Sequence, residues 1–421
     1  MNTRFVLSIT SLYLLAILTA CAAATPIPTQ PPQPPEEYLS NALDWIETHS
    51  VKINTVDWPT VREQALALAP DPRTTADTYP AILFVMEQLS DSATFFAPPE
   101  DNTKDIPNNV GFIAFYPEAV IVLVDAGGPA EEAGLHIGDV IESINGMPPK
   151  QWQGTRFLDW YEDVTLQITV RRGGQEQPIK VTLTKVKSSA QQSTPIGRHI
   201  STDRGNVGYI ELPVESGAGE LYPTLAQEVI READQHQACG WVIDLRRNHG
   251  GDIWSYIAAI GPILGEGEVG GFVYLDGMRE IWKYKDGKVF WGAEERDESL
   301  VEGAIYKLKN PMPPVAVLTS PATMAAGELA VVTFHGRDKI RVFGESTGGS
   351  PFLVFHTGLS DQAFVGVSGA FSMDRTGYIY DGPIAPDETV RTDWTLFGSD
   401  RDPVILAAQE WLLSQPDCAE R

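Results

Sequence analysis

What most limits the folds open to this chain is the order of its apolar runs from about residue 200 onward. Short runs without helical period, Val207–Leu212, Gly240–Leu245, Gly270–Leu275 and Val315–Leu318, read as buried strands. They alternate with longer helix-like runs, Glu220–Gln235, Asp252–Leu264 and Ala325–His335. Apolar strands interleaved with helices imply an α/β core. Gln362–Met373 and Tyr378–Tyr380 read as further strands, and Pro403–Leu413 as a closing helix, so the core is expected over 195–416. A chain of 421 residues has room for two or three folded units.

Upstream, apolar residues recur at helical spacing from Glu36 to Gln88, as in Tyr38, Leu43 and Ile46 and again in Ile82, Val85 and Leu89. Turns at Trp58-Pro59 and Pro70-Asp71-Pro72 divide them, which predicts a small helical N-terminal region over 37–104. Before it, Arg4 precedes the apolar run Phe5–Leu18 and the tetrad Leu18-Thr19-Ala20-Cys21. That tetrad resembles a bacterial lipobox, with Cys21 as the lipidated thiol; an ordinary secretory leader is the competing reading. The run falls short of the ~20 residues that span a bilayer. Residues 1–21 are thus expected to be a leader and 22–36 a proline-rich spacer. Together they would hold the protein outside the cytoplasm on a bacterial membrane. Cys239 and Cys418 are the other thiols, and no disulfide is expected between them. The formal net charge of −25 argues against a nucleic-acid partner. No cluster has metal-ligand spacing, so neither metal nor cofactor is expected. Gly265-Glu-Gly267-Glu-Val-Gly270 spells a dinucleotide fingerprint, but it follows a helix and precedes a strand, the reverse of the order that motif requires.

Between these regions, Val110-Gly111-Phe112-Ile113 opens a strand pattern that Val120–Val124 continues. A short helix at Ala130–Ala133, a Gly138-Asp139 turn, a Val140–Ile144 strand and an Asn145-Gly146 hairpin turn follow, closed by Val164–Arg171 and Lys180–Lys185. In that order the segment, 105–188, resembles a PDZ domain. The resemblance implies capture of an extended peptide C-terminus by strand addition, with Val110, Gly111, Phe112 and Ile113 as the binding loop.

Asp244-Leu-Arg-Arg-Asn248-His-Gly250-Gly251-Asp252 ends a strand in a glycine-bearing loop that opens a helix. With Phe343-Gly344-Glu345-Ser-Thr347-Gly348 and Asp381-Gly-Pro383, it resembles the tail-specific (C-terminal processing) serine peptidase family. The order of helical region, PDZ domain and crotonase-like α/β core is also the family's. The resemblance implies that amides of Gly250, Gly251 and Ala326 hold an oxyanion. It implies a nucleophilic serine at the position of Ala325, within Thr323-Met324-Ala325-Ala326-Gly327-Glu328, and a histidine base at the position of Ala93. Other branches place a lysine where this chain has Ser350. Glu345 is the surviving acid, with a loop-stabilising carboxylate as the plainer reading.

Three functions follow from this pattern. The first is an anchored homologue that binds peptides or protein tails and is catalytically impaired. The second is a working serine peptidase with an unrecognised nucleophile, for which Ser320, Ser346 and Ser350 and the histidines His249, His335 and His356 are candidates. The third is a binder of apolar molecules, with Trp241, Trp254 and Phe352 lining its pocket; packing in the core is the plainer reading of these three.

Overall fold

The computed structural model describes residues 33–91, 93–99, 110–115, 119–124, 128–149, 165–173, 177–184, 194–214, 221–296, 301 and 305–419. The leader, Cys21 and the spacer as far as residue 32 lie outside the described residues.

Three helices open the fold: α1 (Pro35–His49), α2 (Trp58–Ala67) and α3 (Tyr79–Leu89), each with a proline in its first turn, where no amide donor is lost. Their apolar faces bury Tyr38, Leu43, Ile46, Ile82, Val85 and Leu89, but the core they form is not their own. Ala363, Val365 and Val367 of a distant strand complete it. The Tyr38 and Tyr79 hydroxyls donate to the two oxygens of Asp361, at 3.0 and 2.6 Å, and pin the helices to that strand's hairpin. A short strand, β1 (Phe95–Ala97), then pairs with it directly.

The next unit is an antiparallel sheet of β2 (Phe112–Phe115), β3 (Val120–Val124), β4 (Val140–Ile144), β5 (Thr165–Arg171) and β6 (Ile179–Thr184), in spatial as well as chain order, with α4 (Pro129–Glu132) between β3 and β4. Asn145 and Gly146 both have positive φ, 48° and 79°, as a two-residue hairpin turn requires. Buried Asp139 receives two hydrogen bonds from the Arg172 guanidinium at 2.7 Å each.

The α/β core begins with β7 (Ile196–Thr202), β8 (Gly205–Glu211), α5 (Leu221–Asp234), β9 (Gly240–Asp244) and α6 (Ile253–Leu264). A meander of β10 (Gly267–Val273), β11 (Arg279–Lys285), β12 (Lys288–Trp291) and β13 (Glu294–Glu295) follows. Then come β14 (Val315–Thr319), α7 (Ala326–Phe334), β15 (Ile340–Gly344), β16 (Phe352–Gly358), β17 (Phe364–Met373), β18 (Ile379–Tyr380), β19 (Glu388–Thr389), α8 (Pro403–Leu413) and α9 (Pro416–Ala419). One sheet runs β19-β15-β14-β9-β8-β7 and is parallel except for the β7–β8 pair. The other runs β1-β17-β10-β11-β12-β13, with β16 and β18 also on β17. Helices α6 and α7 share a core with residues of both sheets, which is why α6 is apolar nearly all round. The far face of the parallel sheet is covered by α8.

The α/β reading holds, and the elements end within a few residues of their expected limits. Other features depart from expectation. The apolar pattern predicts none of β1, β7, β11–β13, β15, β16 or β19, and β1 falls inside the region expected to be helical. Cys239 and Cys418, expected to be free, form a disulfide with Cα atoms 5.0 Å apart. Their separation of 179 residues conceals the proximity, which arises only when α8 packs on the sheet and delivers α9 to the start of β9. Both sulfurs are buried. Closing so long a loop restricts the unfolded chain, so reduction should lower the stability of the core by about 2–5 kcal/mol. The fall would appear as a lower denaturant midpoint in reductant, absent in a Cys239→Ser, Cys418→Ser variant.

Candidate functional site

The site is built where β14 turns into α7. Its connecting loop is stitched to the loop after β9. The Thr323 hydroxyl donates to the Leu245 carbonyl (2.9 Å), that of Ser320 to the Arg246 carbonyl (2.7 Å), and the Met324 amide to the Asn248 carbonyl (2.9 Å). Ser320 and Thr323 are fully buried. The turn then passes through Ala325 at φ 48°, ψ −119°. An L-residue pays on the order of 1–3 kcal/mol to sit in so sparsely populated a region, and such strain persists only where the surroundings over-determine it.

Glu328 supplies the constraint. It is fully buried in the first turn of α7 and accepts from the amides of Ala325 (3.1 Å), Gly349 (2.7 Å) and Ser350 (2.6 Å), and from the Thr347 hydroxyl. A glutamate three residues past a helix start reaches back to the cap amide, but Ala325 has no oxygen with which to reciprocate. Burial pushes the Glu328 carboxyl up to about 7, against four hydrogen bonds that pull the other way.

Opposite lies the glycine loop. Gly251 has φ 96°, a conformation that favours glycine. The Tyr256 hydroxyl donates to the Gly250 carbonyl at 2.7 Å; across a trans peptide, the Gly251 N–H then points the other way. The loop is in close contact with α7: a Cβ on Gly327 would lie 2.3 Å from the Asn248 carbonyl oxygen. Ala326, the first residue of α7, is beyond reach of an intrahelical acceptor and makes no hydrogen bond through its amide to another described residue. The two loops are thus joined through Leu245, Arg246, Asn248 and Gly327, but the Gly250 N–H, expected to face an oxyanion, donates instead to Asn248 Oδ1 at 3.3 Å, which leaves the Gly251 and Ala326 amides.

The other expected positions are distributed around it. Ala93 is held by Asp91, whose Oδ1 accepts from the amides of Ala93 (2.9 Å) and Thr94 (2.7 Å) and from the Ser368 hydroxyl of β17 (2.9 Å). Strand β16, paired to β17, begins two residues after Ser350, so a continuous chain of bonds links Ala93 to the Glu328 network. Glu345 faces elsewhere: its Oε2 accepts from the Thr392 amide (3.0 Å), and it lines a cleft against the β2–β6 sheet. Of the candidate serines, Ser320 and Ser350 are buried and Ser346 is exposed. Burial holds His249 and His335 below the ordinary imidazole range, while His356 is exposed on β16. Trp241, Trp254 and Phe352 are packed side chains, Trp254 against Trp282 and Trp291. In the binding loop, Val110 and Phe112 turn into the sheet's own core, Gly111 lies against Pro129 and Ala130, and Ile113 is half-buried. Among the described residues, strand β2 has a partner on one side only. Residues 150–164, between β4 and β5, lie outside the described residues.

Sequence reasoning did not assign the network of Glu328, Thr347 and Asp91. The signal for Glu328 was present, since an acid at the third position of a helix commonly serves its cap.

The family model for peptidase family S41 matches residues 206–390, and one for a PDZ domain matches residues 120–159. The chain is 24% identical over 375 residues to the chloroplastic carboxyl-terminal-processing peptidase 2 of Arabidopsis thaliana, spanning 83% of this chain and 68% of that protein. It is 25% identical over 340 residues to the chloroplastic C-terminal processing peptidase of Tetradesmus obliquus, spanning 75% and 68%. Among solved structures, a photosystem II D1 C-terminal processing protease shares the fold with a TM-score of 0.61, at 21% identity, covering 86% of this chain and 94% of that one.

Two measurements probe the turn. Ala325→Gly should leave the core as stable as before or raise it by about 1 kcal/mol, because relief of strain outweighs the extra freedom of the unfolded glycine. A clear loss of denaturant midpoint would contradict it. For Glu328, the folded value of about 7 lies above the ordinary 4.5, so its contribution is fully present below pH 4.5 and lost as pH rises through 7. The unfolding free energy of the core should fall across that window by on the order of 3 kcal/mol, read as a lower denaturant midpoint. Glu328→Gln should flatten the slope and lower stability throughout, since its amide nitrogen would face amide donors.

Proposed function

Because residues 206–390 carry the core of peptidase family S41 and residues 120–159 a PDZ module, we propose that this chain is a tail-binding member of that family. It engages protein C-terminal segments without hydrolysing them at an appreciable rate. The observation that carries this reading is the backbone of Ala325, which keeps the strained strand-to-helix turn of a nucleophile mount while lacking the hydroxyl. The second reactive position, Ala93, lacks its imidazole. Loss of the serine or the histidine of such a centre costs on the order of 10⁶ in turnover, and loss of both little more, because they act as a unit. Where such a centre keeps its oxyanion donors, a rate of roughly 10³ to 10⁴ over water remains.

Burial of Ser320 and Ser350 weighs against a substitute nucleophile at those positions, since Ser320 donates to the Arg246 carbonyl and Ser350 is only 3% exposed. The edge of β2 that has no partner among the described residues supports tail binding: an extended peptide can add there as a further strand, with its carboxylate toward the Val110-Gly111-Phe112-Ile113 segment. The lipobox-like tetrad at Cys21 and the disulfide together support a place outside the cytoplasm, anchored through lipid, because disulfides persist in oxidising compartments.

The purified protein should not be labelled by a fluorophosphonate probe, and stoichiometric labelling of any serine would overturn the reading. Ala325→Ser alone should not restore hydrolysis of tail peptides. The pair Ala93→His, Ala325→Ser should restore it above the single variant by a factor of 10² or more.

A further inference from the structure

A cavity opens beside the β14–α7 loop, lined on that side by Pro321 and Ala322. It is a cleft of about 270 Å³ at the carboxyl ends of β14, β15 and β19, the edge of a parallel sheet where ligands characteristically bind. The β2–β6 sheet closes its other side through Val120 and Val122 of β3. The two walls are in close contact, since a Cβ on Gly138 would lie 2.9 Å from the Thr395 side chain.

Three polar groups in this cleft are left with capacity to spare. Arg391 is exposed and makes no ion pair with a described residue, in a chain with 56 acidic and 31 basic side chains. Glu345 lines the same cleft but does not pair with Arg391; Oε2 is taken by the Thr392 amide, and Oε1 has no partner among the described residues. Thr392 is 7% exposed, and its buried hydroxyl has no hydrogen-bond partner among the described residues. Buried hydroxyls are ordinarily satisfied, so an orphan on a cavity wall marks a place for a ligand atom. The remaining surface is apolar, from Val120, Val122, Pro321 and the indole of Trp394.

We propose that this cleft binds a free α-amino acid with an apolar side chain of about leucine size. Its carboxylate pairs with Arg391 and takes the Thr392 hydroxyl, its ammonium meets Glu345, and its side chain lies against the valines and Trp394. A cation and an anion that share a small cleft without pairing suit a zwitterion. A peptide C-terminus would leave the Glu345 carboxylate beside a second carboxylate, with nothing to answer it. The volume is ample for an amino acid of leucine size.

Isothermal titration of the purified full chain with L-leucine should give saturable binding, with a dissociation constant between roughly 10 µM and 1 mM, as expected of so small a ligand. N-acetyl-leucine and leucinamide, each lacking one charge, should bind at least tenfold more weakly. Arg391→Gln should weaken leucine to the same degree, and Arg391 is exposed enough that the variant keeps its fold. Thr392→Val should weaken leucine but not leucinamide. Absence of saturable binding by leucine would overturn the proposal, as would unaltered affinity in Arg391→Gln. N-acetyl-leucine binding as tightly as leucine would overturn it too, because the cleft would then read a bare carboxylate.

Discussion

The arrangement of both loops rests on a buried ion cluster at the end of β9. Arg246, wholly excluded from solvent, bridges Asp244 and Asp402, which are themselves fully buried, with contacts of 2.6 and 2.8 Å. Removing one member of such a set typically costs 3–5 kcal/mol, because it strands a charge. The two carboxylates hold the guanidinium well above its usual range, and the Phe397 ring covers it at 4.4 Å. Each partner also does something else. Asp402 accepts from the amides of Val404 and Ile405 and so starts α8, Asp244 takes the Tyr209 hydroxyl, and the Arg246 carbonyl takes the hydroxyl of Ser320. A helix, two strands and the β14–α7 loop are thereby fixed by one cation.

From that anchor the rest follows in order. The β14–α7 loop is pinned to the glycine loop through Leu245, Arg246 and Asn248, and Glu328 gathers the amides that follow β15. Ala325 is left with no alternative to its positive φ. Strain of this kind persists only where the surroundings over-determine it, and here the Glu328 bonds and the contacts between the two loops do so.

Much of this was legible in the sequence. The apolar runs of β9 and β14 are buried on both faces and read as such, the Asn145-Gly146 turn has the φ values its residues favour, and α8 ends where Pro403 and Leu413 place it. What could not be read depends on contacts between distant residues. Cys239 and Cys418 meet only after a helix has docked, and the N-terminal helices complete their core with Val365 and Val367. Val110 and Phe112 stand in the order of groove residues, but the bend at Gly111 leaves both in the sheet's own core. The meander from Arg279 escaped notice because its alternation runs through charged residues, as in Lys283 and Lys285 flanking buried Tyr284.

The link between Cys239 and Cys418 also changes the topology of the chain. It makes a closed covalent ring of everything from β9 to α9, including the glycine loop, the β14–α7 turn and both walls that the core lends to the cleft. A single break in any surface turn of that ring opens it without releasing a fragment. In surroundings rich in hydrolases, a nicked core would remain one molecule, its two edges still held in register by the sheet.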